Sequence, residues 1–327
     1  MANLQPTVEF LSRAPGAVLL THERPDGDAL GSVAGLAHWF QSGGRPAEIW
    51  LYAPPPERYA HLLRDLIWRV LEPAARPPQR DWPWVVADTC SYNQLTPVAD
   101  AIRARGGVDW AIDHHLTRDP LYKGALIDES AAATGLLVYE IVRAAGHVPH
   151  AAAAEAIFTA ICTDTGWFRF SNADARTFRA AAGLIDAGAK VAETYERLYQ
   201  NDAPSRLALV AEALSGMEFH ENGAVAVLTL TQESFRRSGA TSADTEGLTD
   251  EAGRLRGVNV VLLFVEMNDG KVRCSLRSKR DVDVNKVAAR FGGGGHARAS
   301  GARIAGSPAE VKPMVISAVV EALRAAR

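Results

Sequence analysis

The feature that most constrains the fold of this chain is the regular alternation of short apolar runs with helix-like segments in its first half. Each apolar run is continuous, as expected for a strand that is buried on both faces of a sheet. The runs lie at 17–21, 48–52, 84–87 and 108–112, and helix-like segments at about 28–41, 58–66, 98–105, 134–145, 151–162 and 175–187. This alternation predicts an α/β fold with a doubly wound parallel sheet.

Acidic residues and histidines follow three of the predicted strands, and one more aspartate follows a predicted helix. Because ligands bind beyond the carboxyl ends of the strands in doubly wound sheets, these groups are expected in one pocket. Several aspartates in one pocket would repel each other unless cations lay between them. With the imidazole nitrogens, the set predicts a two-metal hydrolytic site. Its members are His22, Asp26, Asp28, Asp88, Asp113, His114, His115 and Asp164.

Each of these residues alone has an ordinary structural interpretation. Asp28 stands where a helix N-cap is expected, Asp88 alone would be a cap or loop carboxylate, and Asp164 belongs to an ordinary Asp-Thr-Gly turn. A lone histidine pair is usually a surface feature or a satisfied core group. The prediction of a metal site therefore depends on the whole set.

Composition and charge exclude several classes of protein. The chain has 327 residues, enough for two domains, and a formal net charge of −3, which argues against a general binder of duplex DNA. Its three cysteines are far apart and odd in number, so they predict no disulfide framework, no zinc site and a reducing compartment. No signal-peptide pattern and no membrane-spanning apolar run is found. We expect a cytoplasmic protein without membrane association.

The second half of the chain has a different pattern of strand-like and helix-like segments. A helical connector at about 192–215, interrupted near 202–204, precedes strand-like segments at 224–231, 259–266 and 271–276. Asn268-Asp269-Gly270 predicts a hairpin turn between the last two. Helices are expected at about 284–291 and 308–325, and the proline- and arginine-rich segment 72–83 of the first half is expected to be a surface loop. These elements predict a smaller α/β domain with a mixed sheet.

The region from Lys271 to Arg303 is basic, with nine Lys or Arg residues against two acids. A basic run is usually a solvated face, and four consecutive glycines are usually a flexible loop. Arg277, however, ends a predicted strand beside Ser278 and could bind a phosphate through its guanidinium. The run from Gly292 to Gly295 precedes His296 and would let backbone N–H groups approach an anion closely.

Taken together, these motifs resemble those of the DHH-superfamily phosphoesterases. Within that superfamily the chain is most similar to the compact branch of bifunctional oligoribonucleases and 3′-phosphoadenosine 5′-phosphate (pAp) phosphatases. The resemblance implies a DHH catalytic domain at 1–190, a connector at 191–215 and a DHH-associated substrate-binding domain at 216–327. The blocks that carry it lie at 22–32, 85–89, 112–115, 134–135 with Tyr139, 163–166, 275–278 and 292–301.

The resemblance also implies a role for each site residue. His22 and Asp26 would hold one metal, Asp28, His114 and Asp164 the other, and Asp88 would bridge both. His115 would contact the scissile phosphate, and Asp113 would orient a histidine. Mn²⁺ is the expected ion, with Mg²⁺ or Co²⁺ as alternatives, because the ligands are oxygens and imidazole nitrogens without thiolate. The expected substrate-binding residues are Arg277, Ser278, Gly294, Gly295 and His296.

The activity implied is manganese-dependent hydrolysis of short RNA or DNA oligonucleotides to mononucleotides, and of pAp to AMP and phosphate. The alternatives are a hydrolase of linear dinucleotides such as pApA or pGpG, an inorganic pyrophosphatase, and a catalytically silent nucleotide-binding module. A dinucleotide-dependent oxidoreductase is disfavoured, because the first strand is not followed by the G-x-G-x-x-G turn. This branch of the superfamily suggests a homodimer or a monomer.

Overall fold

The computed structural model describes residues 2–71, 81–280 and 282–326. The chain divides into two compact units after Asn201. Among the described residues, no helix combines the length and the apolar character needed to cross a bilayer. The predicted loop at 72–83 lies mostly in residues 72–80, outside the described part of the chain.

The first unit alternates strands and helices along most of its length. Its strands are β1 (Ala17–Leu20), β2 (Ala47–Leu51), β3 (Ile67–Val70), β4 (Trp84–Ala87), β5 (Val108–Asp113) and β6 (Tyr122–Ile127). Its helices are α1 (Gln5–Arg13), α2 (Gly27–Ser42), α3 (Glu57–Ala60), α4 (Ala99–Ala104), α5 (Thr134–Ala144), α6 (Ala151–Asp164), α7 (Ala175–Asp186) and α8 (Val191–Tyr199), with 3-10 turns at His61–Leu63, Tyr92–Gln94 and Thr96–Val98.

The six described strands of this unit form one parallel sheet in the order β3-β2-β1-β4-β5-β6. β1, β2 and β4 are buried along their whole length, which explains their continuous apolar character. A large core packs α2, α5 and α6 on one face, and a second apolar cluster around Trp50 and Trp84 covers the other. The predicted α/β fold with a doubly wound parallel sheet is confirmed.

The second unit is smaller and has a mixed sheet, as predicted. Its strands are β7 (Glu218–His220), β8 (Val225–Leu230), β9 (Val260–Glu266), β10 (Lys271–Ser278), β11 (Gly294–His296) and β12 (Ala299–Ala305). Its helices are α9 (Pro204–Ser215), α10 (Gln232–Ser238), α11 (Leu248–Gly253), α12 (Val284–Ala289) and α13 (Pro308–Ala325), with a 3-10 turn at Ser242–Thr245. The order is β11-β12-β10-β9-β8-β7, and β8 with β9 is the parallel pair among these described strands.

Several short elements differ from the sequence analysis. The helix expected at 58–66 is only α3 with a 3-10 turn, and the chain then enters β3, an edge strand that the pattern did not predict. The patterns also did not predict β6, β7 and β11, which are edge strands, or β12, in which Ser300, Gly301 and Arg303 interrupt any apolar run. The expected connector consists of two helices, α8 in the first unit and α9 in the second.

Candidate metal centre

The two central strands of the first sheet direct the chain to opposite sides. β1 and β4 are neighbours, but β1 leads to β2 on one side and β4 leads to β5 on the other. In parallel sheets, ligands bind beyond the carboxyl ends of the strands at such a switch point. His22 and Asp28 lie in the segment after β1, Asp88 directly follows β4, and Asp113 ends β5.

Asp88 has a left-handed backbone conformation, with φ of 66°. Its N–H donates to the carbonyl oxygen of Ile112 at 3.0 Å, and its side chain is almost fully buried. Positive φ is uncommon outside glycine, although aspartate and asparagine tolerate it better than most residues. Such a conformation persists only where the surrounding structure imposes it. Residues in such conformations are frequent at functional sites.

One group of candidate ligands consists of His22, Asp26 and Asp88. Nε2 of His22 lies 3.7 Å from Oδ2 of Asp88 and 4.0 Å from Oδ1 of Asp26. Asp26 is also the N-cap of α2, since its Oδ1 accepts a hydrogen bond from the N–H of Ala29 at 3.1 Å. The expectation that Asp28 caps this helix is therefore wrong. The helix begins at Gly27, which places Asp28 in the first turn.

A second group consists of Asp28, Asp88 and His114, with Asp164 close by. Nε2 of His114 lies 3.8 Å from Oδ2 of Asp28, 3.7 Å from Oδ1 of Asp88 and 3.5 Å from Oδ2 of Asp164. The other ring nitrogen, Nδ1, lies 3.1 Å from the carbonyl oxygen of Ala131. Because that carbonyl can only accept, Nδ1 is the donor, and Nε2, which faces three carboxylate oxygens, is a candidate ligand nitrogen.

The N-terminus of α5 holds two of these carboxylates. The backbone N–H groups of Thr134 and Gly135 donate to the two oxygens of Asp28 at 2.7 and 2.8 Å. The hydroxyl of Ser32, one turn along α2, donates to Oδ1 of Asp28 at 3.1 Å. The hydroxyl of Thr134 donates to Oδ1 of Asp88 at 2.9 Å. The fixed positions of both carboxylates follow from these bonds.

Asp113 makes a different set of contacts. Its Oδ1 accepts from Nδ1 of His115 at 2.8 Å and from the backbone N–H groups of His114 and His115 at 2.8 and 3.2 Å. Nδ1 of His115 lies 3.8 Å from Oδ1 of Asp88. Asp113 is fully buried, whereas the side chain of His115 is 31% exposed. Asp113 thus holds the ring of His115 and the backbone of both histidines, and His115 is the more exposed of the two.

Burial and mutual repulsion dominate the electrostatics of the cluster. Burial, followed by the charges of Asp28, Asp26, Asp113 and Asp164, raises the pKa of Asp88 well above its usual value. Burial likewise raises the pKa of Asp28 and lowers the pKa of His22, which makes the neutral imidazole its form at pH 7. Burial also opposes ionisation of Asp113, but its hydrogen bond to His115 brings the pKa of Asp113 below the usual value.

These residues fit divalent metal ions. The nitrogen–oxygen distances of 3.5 to 4.0 Å around His22 and His114 are too long for good hydrogen bonds, so the atoms converge without satisfying one another. In both groups the ligand atoms lie within 4.8 Å of one another, and Asp88 belongs to each. Cations there would offset the repulsion that raises the pKa of Asp88. Carboxylate oxygens with imidazole nitrogens suit ions such as Mn²⁺ or Mg²⁺.

The second unit carries the other residues singled out in the sequence. Arg277 and Ser278 end β10, and the hydroxyl of Ser278 donates to the carbonyl oxygen of Val282 at 2.7 Å. Gly294, Gly295 and His296 form β11, which pairs with β12, so this part of the glycine run is a short strand and not a loop. Gly294 and Gly295 remain exposed. At Gly295, with φ of 140°, a Cβ would lie 2.5 Å from the carbonyl oxygen of Ala299.

No sequence pattern assigned a role to Ser32 or Thr134. Ser32 follows Asp28 by four residues on α2, a spacing that places both side chains on one face of a helix. The contact between Ser32 and Asp28 could therefore have been predicted from their spacing in the sequence. The contact of Thr134 with Asp88 joins residues 46 positions apart, and only the folded sheet brings them together.

Comparison with known proteins agrees with this organisation. The family model for the DHH family, N-terminal domain, matches residues 17–163, and the model for the DHHA1 domain matches residues 222–325. The chain is 32% identical over 302 residues to the bifunctional oligoribonuclease and PAP phosphatase NrnA of Thermus thermophilus, covering 91% of this chain and 87% of the relative. It is 28% identical over 290 residues to the protein of the same name from Bacillus subtilis, covering 88% of each.

A solved structure also matches over nearly the whole length. It is the crystal structure of an exopolyphosphatase-related protein from Bacteroides fragilis, with a TM-score of 0.84, and the match covers 97% of this chain and 95% of that one. The two are 23% identical. At that identity the likeness concerns the fold alone.

Proposed function

The chain belongs to the DHH family, and from that membership we propose that it hydrolyses short oligonucleotides to mononucleotides and pAp to AMP and phosphate. The relatives that support this substrate class are named bifunctional oligoribonuclease and PAP phosphatase, and they match along about nine-tenths of the chain. Phosphoesterases of this family use divalent metals. The observation that carries the proposal is that Asp88 belongs to both groups of candidate ligands.

The distances support two ligand sets. His22, Asp26 and Asp88 would hold one ion. Asp28, His114 and Asp164 would hold the other together with Asp88, which would bridge the two. Mn²⁺ is the proposed ion, because it accepts both carboxylate oxygens and imidazole nitrogens. When bound, such a pair supplies an activated water and offsets charge on the phosphoryl oxygens.

The protein groups around this pair have separate tasks. Asp113 accepts a hydrogen bond from Nδ1 of His115 and so holds this ring in place. In the doubly protonated form of the ring, which a carboxylate partner favours, Nε2 of His115 would donate to a phosphoryl oxygen of the substrate. Asp28 and Asp88 are buried, and the lower dielectric around them would strengthen their interaction with the ions.

The second unit is proposed to bind the rest of the substrate. Arg277 ends β10 with a guanidinium suited to a terminal phosphate, and Ser278 lies beside it. Exposed backbone at Gly294 and Gly295 allows close approach of an anion, and His296 follows in the same strand. The partners of such an enzyme are short single-stranded RNA or DNA and pAp.

A substrate panel tests the proposal. The full chain is assayed with pAp, a five-nucleotide RNA, pApA, pGpG and pyrophosphate, each with Mn²⁺, with Mg²⁺ and with a chelator. We expect release of phosphate from pAp and of mononucleotides from the RNA, with chelator abolishing both. Turnover of pyrophosphate alone, or of dinucleotides alone, would replace the proposal by one of the alternatives. No turnover of any of them would favour a binding module.

Asp88→Asn is the matched inactive variant. Asparagine tolerates the left-handed backbone at this position, whereas alanine would add strain to the loss of the carboxylate. Replacing a residue that only hydrogen-bonds to a metal ligand typically lowers metal affinity or activity about 10- to 100-fold. Loss of a bridging ligand should therefore lower kcat at least about 100-fold on both substrates. An Asp88→Asn protein with wild-type kcat would contradict the bridging role.

A further inference from the structure

Thr134 touches both halves of the candidate metal centre. Its backbone N–H donates to Oδ2 of Asp28 at 2.7 Å, and its hydroxyl donates to Oδ1 of Asp88 at 2.9 Å. Asp28 comes from α2 and Asp88 from the end of β4, so a single residue of a third element links them. Thr134 is fully buried.

Asp28 acts as the cap of a helix to which it does not belong. The residue at the N-cap position of α5 is Ala133, which has no side-chain group to accept the first N–H groups of that helix. Asp28 accepts two of them, from Thr134 and Gly135. A carboxylate at a helix N-terminus is favoured both by these donors and by the helix dipole. The carboxylate is therefore fixed in rotation by the backbone of α5.

The approach of α5 to this carboxylate requires a glycine. A Cβ at Gly135 would lie 2.4 Å from the Cβ of Ala160 on α6 and 3.4 Å from Oδ1 of Asp28. Real Cβ atoms do not come as close as the first of these distances. The N-terminus of α5 is thus held in contact with Asp28 by packing as well as by hydrogen bonds.

The hydroxyl of Thr134 has a separate effect. Of the Asp88 oxygens, Oδ1 is the one that accepts this hydroxyl and lies 3.7 Å from Nε2 of His114, while Oδ2 lies 3.7 Å from Nε2 of His22. The bond therefore fixes the plane of the Asp88 carboxylate, with one oxygen towards each imidazole. A carboxylate that bridges two ions needs this plane, since a carboxylate turned out of it would direct neither oxygen at its ion.

We propose that Thr134 is a positioning residue that sets the orientation of Asp88 relative to Asp28, and through it the affinity of the centre for its two ions. This inference rests on the metal centre proposed above. The role assigned to Thr134 requires no contact with the substrate. Thr134 acts through the carboxylates that it holds.

Metal binding, measured without substrate, tests the inference. Thr134→Val removes the hydroxyl and keeps the shape and the backbone N–H, whereas Thr134→Ser keeps the hydroxyl. We expect the calorimetric affinity for Mn²⁺ to fall roughly 10- to 100-fold in Thr134→Val, the usual cost of losing a partner of a metal ligand. Thr134→Ser should stay within about threefold of the wild type, on the same scale.

Thr159→Val provides the matched control. Thr159 is also fully buried, and its hydroxyl has no hydrogen-bond partner within the described part of the chain. Thr159→Val makes the same substitution as Thr134→Val but at a residue outside the candidate metal centre. The Mn²⁺ affinity of the Thr159→Val protein should therefore equal that of the wild type. Thermal unfolding of the metal-free proteins reports whether each variant folds.

Three results would overturn the inference. The first is a folded Thr134→Val protein with wild-type Mn²⁺ affinity. The second is an equal loss of affinity in Thr134→Val and Thr134→Ser, which would assign the effect to packing. The third is a loss of Mn²⁺ affinity in Thr134→Val that is fully explained by a loss of thermal stability in the metal-free variant. A wild-type protein that binds no Mn²⁺ would instead remove the metal centre itself, and the proposed function with it.

Discussion

At the scale of single residues, the centre depends on carboxylates kept in an unfavourable environment. The sequence predicted which residue types gather at the strand ends, because those positions are fixed by the alternation of strands and helices. It could not predict that Asp26 rather than Asp28 caps α2, because the capping residue changes when the start of the helix shifts by one or two residues. Nor could it predict the left-handed backbone of Asp88 or the bond from Thr134.

The raised pKa of Asp88 predicts a pH-dependent stability of the metal-free protein. The folded state holds a proton on this carboxyl at pH values where the unfolded chain has lost it. Above the pKa of the unfolded chain, near 3.9, the folded state therefore binds more protons, and the free energy of unfolding falls as pH rises towards the raised pKa. Replacing Asp88 by Asn removes this contribution while keeping an oxygen for the Thr134 hydroxyl.

Urea unfolding in chelator measures this effect. Metal-free Asp88→Asn should be more stable than the wild type at pH 8, and the difference should shrink towards zero as pH falls below about 3, where the aspartate is protonated in both states. A variant that is less stable than the wild type at pH 8, or a difference that does not change with pH, would contradict the repulsion among these carboxylates.

At the scale of elements, close packing of α2 against α6 brings the ligands of different helices together. α2 carries Asp28 and α6 ends at Asp164. A Cβ at Gly31 of α2 would lie 2.3 Å from the carbonyl oxygen of Ala156 and 2.8 Å from the Cβ of Ala160. The continuous strands and the long helices were predictable from their patterns. Edge strands such as β3 were not, because Ile67, Trp68 and Val70 are partly exposed and follow no alternation with polar residues.

Gly31→Ala should destabilise the protein by about 1–3 kcal/mol, because the added methyl group overpacks the contact of α2 with α6. Chemical denaturation measures this, and a Mn²⁺ titration should show weaker binding in the same variant. Gly253→Ala is the control. Apart from the chain neighbours and the backbone of its own helix, no atom of the described residues lies within 4 Å of a Cβ there, so we expect an increase in stability of at most about 1 kcal/mol. Equal effects of the two substitutions would contradict the packing argument.

At the scale of the whole molecule, the proposed function assigns a separate task to each unit. The proposed metal ligands all belong to the first unit, and the proposed substrate-binding residues Arg277, Ser278, Gly294, Gly295 and His296 all belong to the second. The sequence predicted this separation because the pattern of strand-like and helix-like segments changes near the connector. The residues of the second unit were predicted through their resemblance to a family. It did not predict the pairing of the glycine run with β12, because a glycine-rich strand has no side-chain pattern.

Arg277→Ala should raise the KM for pAp and for short RNA roughly 10- to 100-fold, the usual cost of a hydrogen bond to a charged group. Its Mn²⁺ affinity should be unchanged, because the metal ligands lie in the other unit. Arg290→Ala, which removes a basic residue of the same region that pairs with Glu321, should leave KM unchanged. A fall in Mn²⁺ affinity in Arg277→Ala, or an equal rise of KM in both variants, would argue against the division of tasks.

Anomalous diffraction from crystals of the wild-type protein soaked in Mn²⁺ tests the central claim most directly. The account predicts two strong anomalous peaks, one among His22, Asp26 and Asp88 and the other among Asp28, Asp88, His114 and Asp164. A single peak, or peaks that do not share Asp88, would contradict it.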